Sequence, residues 1–554
     1  MDSDLSGSDF SRSTRISVLL VSYVLLYLCY KRWTRPEFPN VPGPDSKSWW
    51  LGNMGELMQN QAGLTEFSWQ EKYGYITRFK APFNNDRLLI TDPKALQHIF
   101  QTSGYRWQKY TERREISRLT GGRGILWAEA DIHKRQRKVM IPGFGFPEAK
   151  NFVPIFLSCA EAMCARWRDI MSANPDQSAV FDLPDWLSRA TLDAIGQAAF
   201  DYHFGAIADD ENELQDVYRN MMHNAFGSPS NGALIGLDIA QYLPSRVIQI
   251  ITDYLPSPRL RVLRRNGQTV DRVAKELVEM KFNALLEGKG KRDVMSLLVK
   301  ANASEDPKTR LSNEELIAQM RTIALAGHET TSNTLSWMML EMARHPDMQT
   351  RLRQEIRQAE RTLQKQGRVD FNAQDFETMP YMTAVLKETL RFHPVAIHLY
   401  RRAVEDDVLP LSKPIMLTNE EAITELPVPK GTKIVASMHA YNRNQEIFGE
   451  DAHTFNPDRW LIPNYVKTGV SWGVYANLAT FSAGVRSCIG WRFALIELQT
   501  FMIELLRNFE FSKTSKIDKL RREACLVMVP TIEGEVEKGS QMPLRVSFAS
   551  AGDE

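Results

Sequence analysis

Cysteine is scarce in this chain, which has only five among its 554 residues. They are Cys29, Cys159, Cys164, Cys488 and Cys525. Because their number is odd and their spacing does not match a disulfide framework, we expect free thiols in a reducing compartment. Excess charge is lacking too, since 68 basic and 67 acidic side chains leave a formal net charge of +1. This balance gives no electrostatic reason to expect a nucleic-acid partner.

The sequence has no fixed-period repeat, no low-complexity segment and no linker that would divide it after residue 50. We therefore expect one large globular domain over residues 51–554, although length alone would allow about three or four domains. Hydrophobic residues make up 43% of the chain, enough to bury a sizeable core. Long helical patterns fill the middle of the chain, and short alternating runs such as 431–438 predict strands. The predicted fold class is mostly α with a minor β-sheet region.

The longest uncharged run near the N-terminus is residues 16–30, ISVLLVSYVLLYLCY. A membrane-spanning helix usually needs about 20 apolar residues, so flanking basic side chains would have to reach the bilayer surface. A core helix and a cleaved signal peptide are the alternatives. A signal peptide should begin basic and end in small residues, but this chain begins with aspartates and the run ends in Tyr-Lys-Arg.

We predict an uncleaved transmembrane anchor over residues 15–33, after a short N-terminal segment over residues 1–14. Basic residues just after the run favour a cytoplasmic body. Residues 34–50 include PEFPNVPGP, which cannot continue a helix and predicts a stiff proline-rich hinge.

The segment 481–490, FSAGVRSCIG, contains the cysteine with the clearest chemical setting. Cys488 precedes a predicted helix over 491–507, whose free N–H groups and dipole would stabilise a thiolate, and Arg486 would add to that effect. Gly484 and Gly490 would allow the backbone to approach a flat ligand closely. The simpler alternative is a buried structural cysteine beside a glycine-rich turn. We interpret Cys488 as a metal-binding thiolate.

A second segment lies within a predicted helix of about 32 residues, which Ser312 and Glu315 would cap and His345-Pro346 would end. One face of this helix is apolar until position 327 and then becomes small and hydroxylated. A core helix with satisfied threonines is the ordinary interpretation. The pair His328-Glu329 also begins an H-E-x-x-H zinc motif, but position 332 is serine, which disfavours a zinc hydrolase.

These segments together resemble the cytochrome P450 family in pattern, order and spacing. F-x-x-G-x-R-x-C-x-G over 481–490 resembles its haem-ligand loop, and AGHETT over 326–331 resembles its oxygen-activating segment. The resemblance implies that Cys488 is the axial thiolate of a haem iron and that Phe481, Gly484 and Gly490 shape the loop around the cofactor. It further implies a P450 fold with one N-terminal transmembrane helix.

The resemblance also assigns roles to charged residues. Glu329 would be the acid and Thr330 the alcohol that deliver protons during oxygen activation, with Glu where the family more often has Asp. The residues that would pair with the haem propionates are His133, Arg137, Arg401 and Arg486. His133 stands where the family more often has Trp. Glu388, Arg391 and Arg459 match the E-x-x-R and F-x-P-x-R segments, implying a buried structural lock instead of an ordinary surface ion pair.

The implied function is oxidation of an apolar small molecule with O2, using haem b and electrons from NADPH. Because only 66 residues follow Cys488, too few for a flavin domain, we expect the electrons from a separate NADPH-cytochrome P450 reductase, with cytochrome b5 as a second candidate partner. The similarity is greatest to fungal microsomal members, which implies the endoplasmic reticulum membrane, a cytoplasmic catalytic domain and secondary metabolism, for example of terpenoids. Two alternatives stay open: an O2-independent haem-thiolate isomerase or dehydratase, and a non-catalytic membrane haem-binding protein.

Overall fold

The computed structural model describes residues 17–19, 22–23, 26–27, 30, 32–208, 213–218, 221–288, 293–302, 310–467 and 469–550. The predicted N-terminal segment, residues 1–14, and much of the predicted anchor, residues 15–33, lie outside this set. Within the described residues, we find no helix with the length and apolar character needed to cross a bilayer. The transmembrane helix therefore stays a prediction.

Helices dominate the described chain, as the sequence pattern predicts, and they surround one extended hydrophobic core. In chain order the α-helices are α1 Met54–Gln59, α2 Leu64–Tyr73, α3 Pro93–Gln97, α4 Thr111–Gly121, α5 Ala130–Met140, α6 Phe146–Asn151, α7 Val153–Ser172, α8 Leu183–Phe200, α9 Glu213–Tyr218, α10 Met221–Phe226, α11 Asn231–Ala240, α12 Ser245–Tyr254, α13 Pro258–Leu286, α14 Val294–Asn302, α15 Asn313–Arg344, α16 Pro346–Lys365, α17 Pro380–Phe392, α18 Met438–Tyr441, α19 Gln445–Phe448 and α20 Trp491–Asn508.

The strands form small sheets at the edges of the helical body. They are β1 Ile76–Ala81, β2 Asn85–Ile90, β3 Trp107–Gln108, β4 Ser178–Asp182, β5 His398–Ala403, β6 Asp407–Met416, β7 Ala422–Val428, β8 Lys433–Ser437, β9 Phe509–Lys513, β10 Leu520–Ala524, β11 Met528–Ile532 and β12 Pro543–Phe548. The largest sheet has the order β1-β2-β8-β5-β3, with β2 and β8 parallel and the other pairs antiparallel. The predicted run 431–438 corresponds to β8 at its centre.

The longest helix, α15, begins and ends where the sequence predicts. Ser312 Oγ accepts a hydrogen bond from the Glu315 backbone N–H at 3.1 Å, and the Ser312 N–H donates to the Glu315 carboxylate at 2.9 Å. This reciprocal capping satisfies N–H groups that the first helical turn leaves free. The helix packs closely against α8 and also contacts α20, so it runs through the centre of the molecule.

The proline-rich segment 34–50 packs against the largest sheet. Phe38 and Val41 are 5% and 3% exposed, and the Phe38 N–H donates to the Asp86 carboxylate at 2.7 Å. The Arg78 N–H donates to the Pro42 carbonyl at 2.9 Å, which fixes the segment beside β1. The middle of this segment therefore belongs to the hydrophobic core of the globular body.

Candidate functional site

The cysteine loop, residues 481–490, is held in a compact shape by its own backbone. The Cys488 N–H donates to the Phe481 carbonyl at 2.8 Å, and the Ser487 N–H donates to the Gly484 carbonyl at 3.1 Å. Phe481 is buried and anchors the loop to the core. The chain then enters α20, so Cys488 lies just before a helix N-terminus, as the sequence predicts.

The two glycines of this loop have different structural roles. Gly484 has a φ of +65°, and a Cβ there would lie 1.8 Å from the Phe100 carbonyl oxygen, so the fold itself requires glycine. At Gly490 φ is negative, and a Cβ would meet only the ring of Phe144 at 3.7 Å, an ordinary contact. The protein chain thus leaves room for a close approach beside Gly490.

Cys488 is accessible, whereas Cys159 and Cys164 are buried. Protein nevertheless surrounds its sulfur closely enough that burial raises the pKa of the thiol, while the Gly490 N–H and the charge of Arg137 lower it. A metal ion beside the sulfur would favour the thiolate over the thiol, and the Gly490 N–H and Arg137 would add to that effect.

Arg137 reaches the cysteine loop from α5. Its guanidinium donates to the Ser487 carbonyl at 2.7 Å and to the Ser487 hydroxyl at 3.1 Å. His133 lies one helical turn earlier on the same helix and is buried, and the Tyr105 hydroxyl lies 2.8 Å from its Nδ1. The predicted pair is therefore brought to one place, with Arg137 directed to the loop and His133 to Tyr105.

Arg401 and Arg486 meet beside the same loop. Burial first, and then the charge of Arg486, lowers the pKa of Arg401 to about 9. Arg486 is paired with the carboxylate of Glu129, donates to the Gly104 carbonyl at 3.3 Å, and keeps a buried Nε without a hydrogen-bond partner. These two arginines repel each other, and one acid compensates them only in part.

A further cation, Lys109, lies in this cluster. Its Nζ donates to the carbonyls of Ile125, Leu126 and Ala128 at 2.6–3.3 Å, and burial lowers the pKa of its ammonium group to about 7. Burial, followed by the charges of Lys109, Arg486 and Arg137, lowers the pKa of His133 to about 3. The imidazole is consequently neutral at physiological pH, and the cations around it outnumber the one carboxylate that faces them, that of Glu129.

This donor set fits the haem that the resemblance implies. The four cations of the cluster are Lys109, Arg137, Arg401 and Arg486. One buried carboxylate, that of Glu129, faces them, so the site has an excess of positive charge. The Nε of Arg486 is also without a hydrogen-bond partner. Both features suit the two propionate groups of a haem. Sequence reasoning missed Lys109, Glu129 and Tyr105 because they come from loops far from the cysteine in sequence. For Glu129 the sequence offered a signal, because this acid lies four residues before His133.

The oxygen-activating segment of α15, residues 326–331, combines an accessible strip with buried side chains. Ala326 is exposed, and Gly327 and Thr330 are partly exposed, within a stretch of helix that is otherwise buried. The Thr330 hydroxyl donates to the Ala326 carbonyl at 2.8 Å. The structure therefore places Thr330 on the accessible strip of the central helix.

Glu329, between the residues of that strip in sequence, is buried. Its carboxylate lies 3.5 Å from the His328 Nε2 and 3.5 Å from the side-chain amide of Asn333. His328 donates from Nδ1 to the Ala324 carbonyl at 2.7 Å, since a carbonyl can only accept. The acid is thus held loosely, next in sequence to the accessible hydroxyl of Thr330.

Glu388, Arg391 and Arg459 form a network whose side chains have no exposed surface. Arg391 binds both oxygens of Glu388 at 2.7 and 2.9 Å, and Arg459 donates to one of them at 3.1 Å. Arg391 also donates to the carbonyls of Asn442 and Ala452, which lie on the chain segment leading toward the cysteine loop. The ordinary interpretation of E-x-x-R as a solvated surface pair is therefore wrong.

Comparison with known proteins gives one consistent result. The family model described as Cytochrome P450 matches residues 41–537. The cytochrome P450 monooxygenase claQ of Ampulloclitocybe clavipes is 32% identical, with 91% of this chain and 92% of the relative covered. A ganoderic acid synthetase of Ganoderma lucidum is 32% identical over 90% and 93% of the two chains. Cytochrome P450 monooxygenase 81 of Postia placenta is 30% identical over 97% of each.

The family match extends over most of the chain and contains the cysteine loop, the oxygen-activating segment and the network of Glu388, Arg391 and Arg459. The cofactor of the matched family is haem held by a cysteine thiolate, which agrees with the chemistry of the donor set around the cysteine loop. The chain belongs to the cytochrome P450 family of haem-dependent monooxygenases.

Proposed function

We propose that this monooxygenase oxidises an apolar small molecule in secondary metabolism, with Cys488 as the axial ligand of haem b. The observation that carries the proposal is the accessible sulfur of Cys488 just before α20, beside a cluster of buried cations that outnumber their one carboxylate, that of Glu129. One relative supports the pathway class, because it is named as a ganoderic acid synthetase, and the other two are named as cytochrome P450 monooxygenases.

Each residue of the site has a distinct task in this proposal. The haem, when bound, supplies the activation of O2 and the oxidising power. Cys488 would bind the iron, and Arg137 and the Gly490 N–H favour the anionic sulfur. Arg401 and the free Nε of Arg486 would hold the haem carboxylates, and neutral His133 could donate only one hydrogen bond to them.

Proton movement falls to Glu329 and Thr330. Glu329 can hold a proton on its carboxylate, and the Thr330 hydroxyl on the accessible strip can pass it on to the reacting oxygen. This accessible hydroxyl favours O2-dependent chemistry over an O2-independent isomerase or dehydratase, which would have no need of a relay alcohol. NADPH consumption with a reductase and substrate would separate an enzyme from a non-catalytic haem-binding protein.

Replacing Thr330 with alanine should uncouple the enzyme. We expect the variant to bind haem and to accept electrons, but product formed per NADPH should fall by about tenfold or more, with hydrogen peroxide released instead, because proton delivery is disordered. Thr330→Ser keeps the hydroxyl and serves as the matched control. Unchanged product per NADPH in Thr330→Ala would remove Thr330 from the relay.

Electrons in this proposal come from NADPH through a separate NADPH-cytochrome P450 reductase, with cytochrome b5 as a second candidate partner.

Membrane association at the endoplasmic reticulum is part of the same proposal. Two exposed apolar features support it: α12, in which Ile250 and Tyr254 are 59% and 80% exposed, and Trp33, which is 89% exposed. The Tyr27 hydroxyl donates to the Tyr242 carbonyl at 3.1 Å, so Tyr27 of the predicted anchor lies beside the residues that precede α12. Apolar surface of this kind suits the boundary of a bilayer.

Two truncations should separate anchoring from folding. A chain beginning at Arg35 should keep its haem spectrum and become largely extractable by salt, because it lacks the predicted anchor. A chain beginning at Ser46 also loses the buried side chains of Phe38 and Val41, so its free energy of unfolding should fall by roughly 3–5 kcal/mol. Membrane fractionation and thermal unfolding would measure the two effects. Full salt resistance of the first chain would place the membrane contact in the globular body.

A further inference from the structure

A buried acid on the helix that follows the cysteine has no role in the mechanism described so far. Glu497 lies on α20, and its side chain has no exposed surface. One carboxyl oxygen lies 3.1 Å from the Oγ1 of Thr331, the residue next to Thr330, and the other oxygen has no hydrogen-bond partner. Glu497 therefore connects α20, which begins just after Cys488, with the oxygen-activating segment of α15.

The Thr331 hydroxyl has two oxygen neighbours within hydrogen-bond distance. The Thr331 hydroxyl also lies 2.9 Å from the Gly327 carbonyl, which can only accept a hydrogen bond. The single hydroxyl proton of Thr331 can be donated to only one of these two acceptors, the Gly327 carbonyl or an ionised Glu497 carboxylate. If Glu497 is protonated, both contacts are hydrogen bonds, because the carboxyl donates to Thr331 and Thr331 donates to Gly327; if Glu497 is ionised, Thr331 can satisfy only one of them.

The surroundings of Glu497 agree with a neutral acid. Burial raises the pKa of its carboxyl well above the ordinary range, and no cation lowers it; only a hydrogen bond donated by the Thr331 hydroxyl to an ionised carboxylate would oppose this shift. The thiol of Cys159 on α7 faces the same region, and burial raises the pKa of that thiol too. On α20 itself Glu504 pairs with Arg507 at 2.8 Å, so this arginine is already engaged. A buried carboxylate without a cation would be strongly unfavourable.

We propose that Glu497 is a neutral carboxylic acid that donates a hydrogen bond to Thr331 and so fixes the oxygen-activating segment of α15 relative to the helix that follows Cys488. It is a positioning residue, because it acts through Thr331 on the adjacent Thr330. The expected effect of Glu497 on catalysis rests on the proposed role of Thr330. The protonation of Glu497 is independent of that role.

Infrared difference spectroscopy of the resting holoenzyme tests the protonation directly. At about pH 9 the spectrum of the natural protein minus that of Glu497→Gln should contain the C=O band of a protonated carboxyl, shifted in D2O. Glu504→Gln is the matched control: burial raises the pKa of Glu504 only to about 7, so this acid is ionised at that pH and its replacement should leave the band unchanged. Absence of a band that depends on Glu497 would overturn the proposal.

Product formed per NADPH tests whether the hydrogen bond between Glu497 and Thr331 positions the oxygen-activating segment. Glu497→Gln keeps a donor and should preserve coupling, whereas Glu497→Leu should lower it several-fold with haem content retained. Thr331→Val removes the acceptor at nearly constant volume, and the double variant should be no worse than either single one. If Glu497→Leu loses haem, Thr331→Val alone decides the result. Unchanged product per NADPH in Thr331→Val would refute the positioning role of the Glu497–Thr331 hydrogen bond. Unchanged product per NADPH in Thr330→Ala would refute proton delivery by Thr330, but the infrared result on the protonation of Glu497 would still stand.

Discussion

Replacing Cys488 with serine should abolish both the thiolate spectrum and all turnover. A serine hydroxyl is a poor donor to haem iron and stays protonated at neutral pH, so neither the Gly490 N–H nor Arg137 can make it an anionic ligand. The measurement is the reduced carbon monoxide difference spectrum, followed by NADPH-dependent product formation. We expect the natural protein to give the band typical of thiolate ligation and Cys488→Ser to lack it completely.

The control is Cys525→Ser. This cysteine is partly exposed and lies outside the cysteine loop, so its replacement should leave the spectrum intact. The folded state of Cys488→Ser should be checked by circular dichroism, so that loss of the thiolate band is not the result of unfolding. A thiolate band that persists in Cys488→Ser would assign the ligand to another residue.

The parts of the fold that the sequence predicts well are those controlled by local interactions. Ser312 and Glu315 cap α15 within four residues of each other, and its start and end agree with the prediction. The loop before α20 is likewise a local feature, because Gly484 must adopt a positive φ and Cys488 bonds to the backbone seven residues earlier. Such signals need no knowledge of distant chain segments.

The parts that the sequence does not predict depend on contacts between distant segments. Glu129 pairs with Arg486 across 357 positions, and Tyr105 reaches His133 from a loop with no helical pattern of its own. The spacing of apolar residues along the sequence does not predict such pairs, because it indicates only which face of a helix or strand is apolar. Likewise the proline-rich composition of segment 34–50 indicates stiffness, whereas the burial of Phe38 depends on the sheet that it meets.

The burial of E-x-x-R illustrates the same limit from another direction. Spacing of three on a helix predicts contact between Glu388 and Arg391, and the contact is present. Only the tertiary structure decides whether such a pair is a solvated contact of a few tenths of a kcal/mol or a buried network on which folding depends. Resemblance to the family supplied that distinction before the structure did.

Replacing Glu388 with alanine should therefore be the most destabilising single change outside the cysteine loop. It would leave the guanidinium groups of Arg391 and Arg459 in a fully buried site, with only Asp451 and backbone carbonyls to compensate them. Breaking one partner of a buried pair costs about 3–5 kcal/mol, a large part of the roughly 5–15 kcal/mol that stabilises a typical domain.

Thermal unfolding and haem content would both measure this change. We expect Glu388→Ala to unfold at a much lower temperature and to lose haem, because Arg391 also binds the carbonyls of Asn442 and Ala452 on the way to the cysteine loop. Arg391→Lys keeps the charge but not the planar fork and should give a milder form of the same defect. Glu279→Ala, on the exposed face of α13, is the control and should change neither quantity. Haem loss in Glu388→Ala at an unchanged unfolding temperature would instead assign the network to cofactor binding alone.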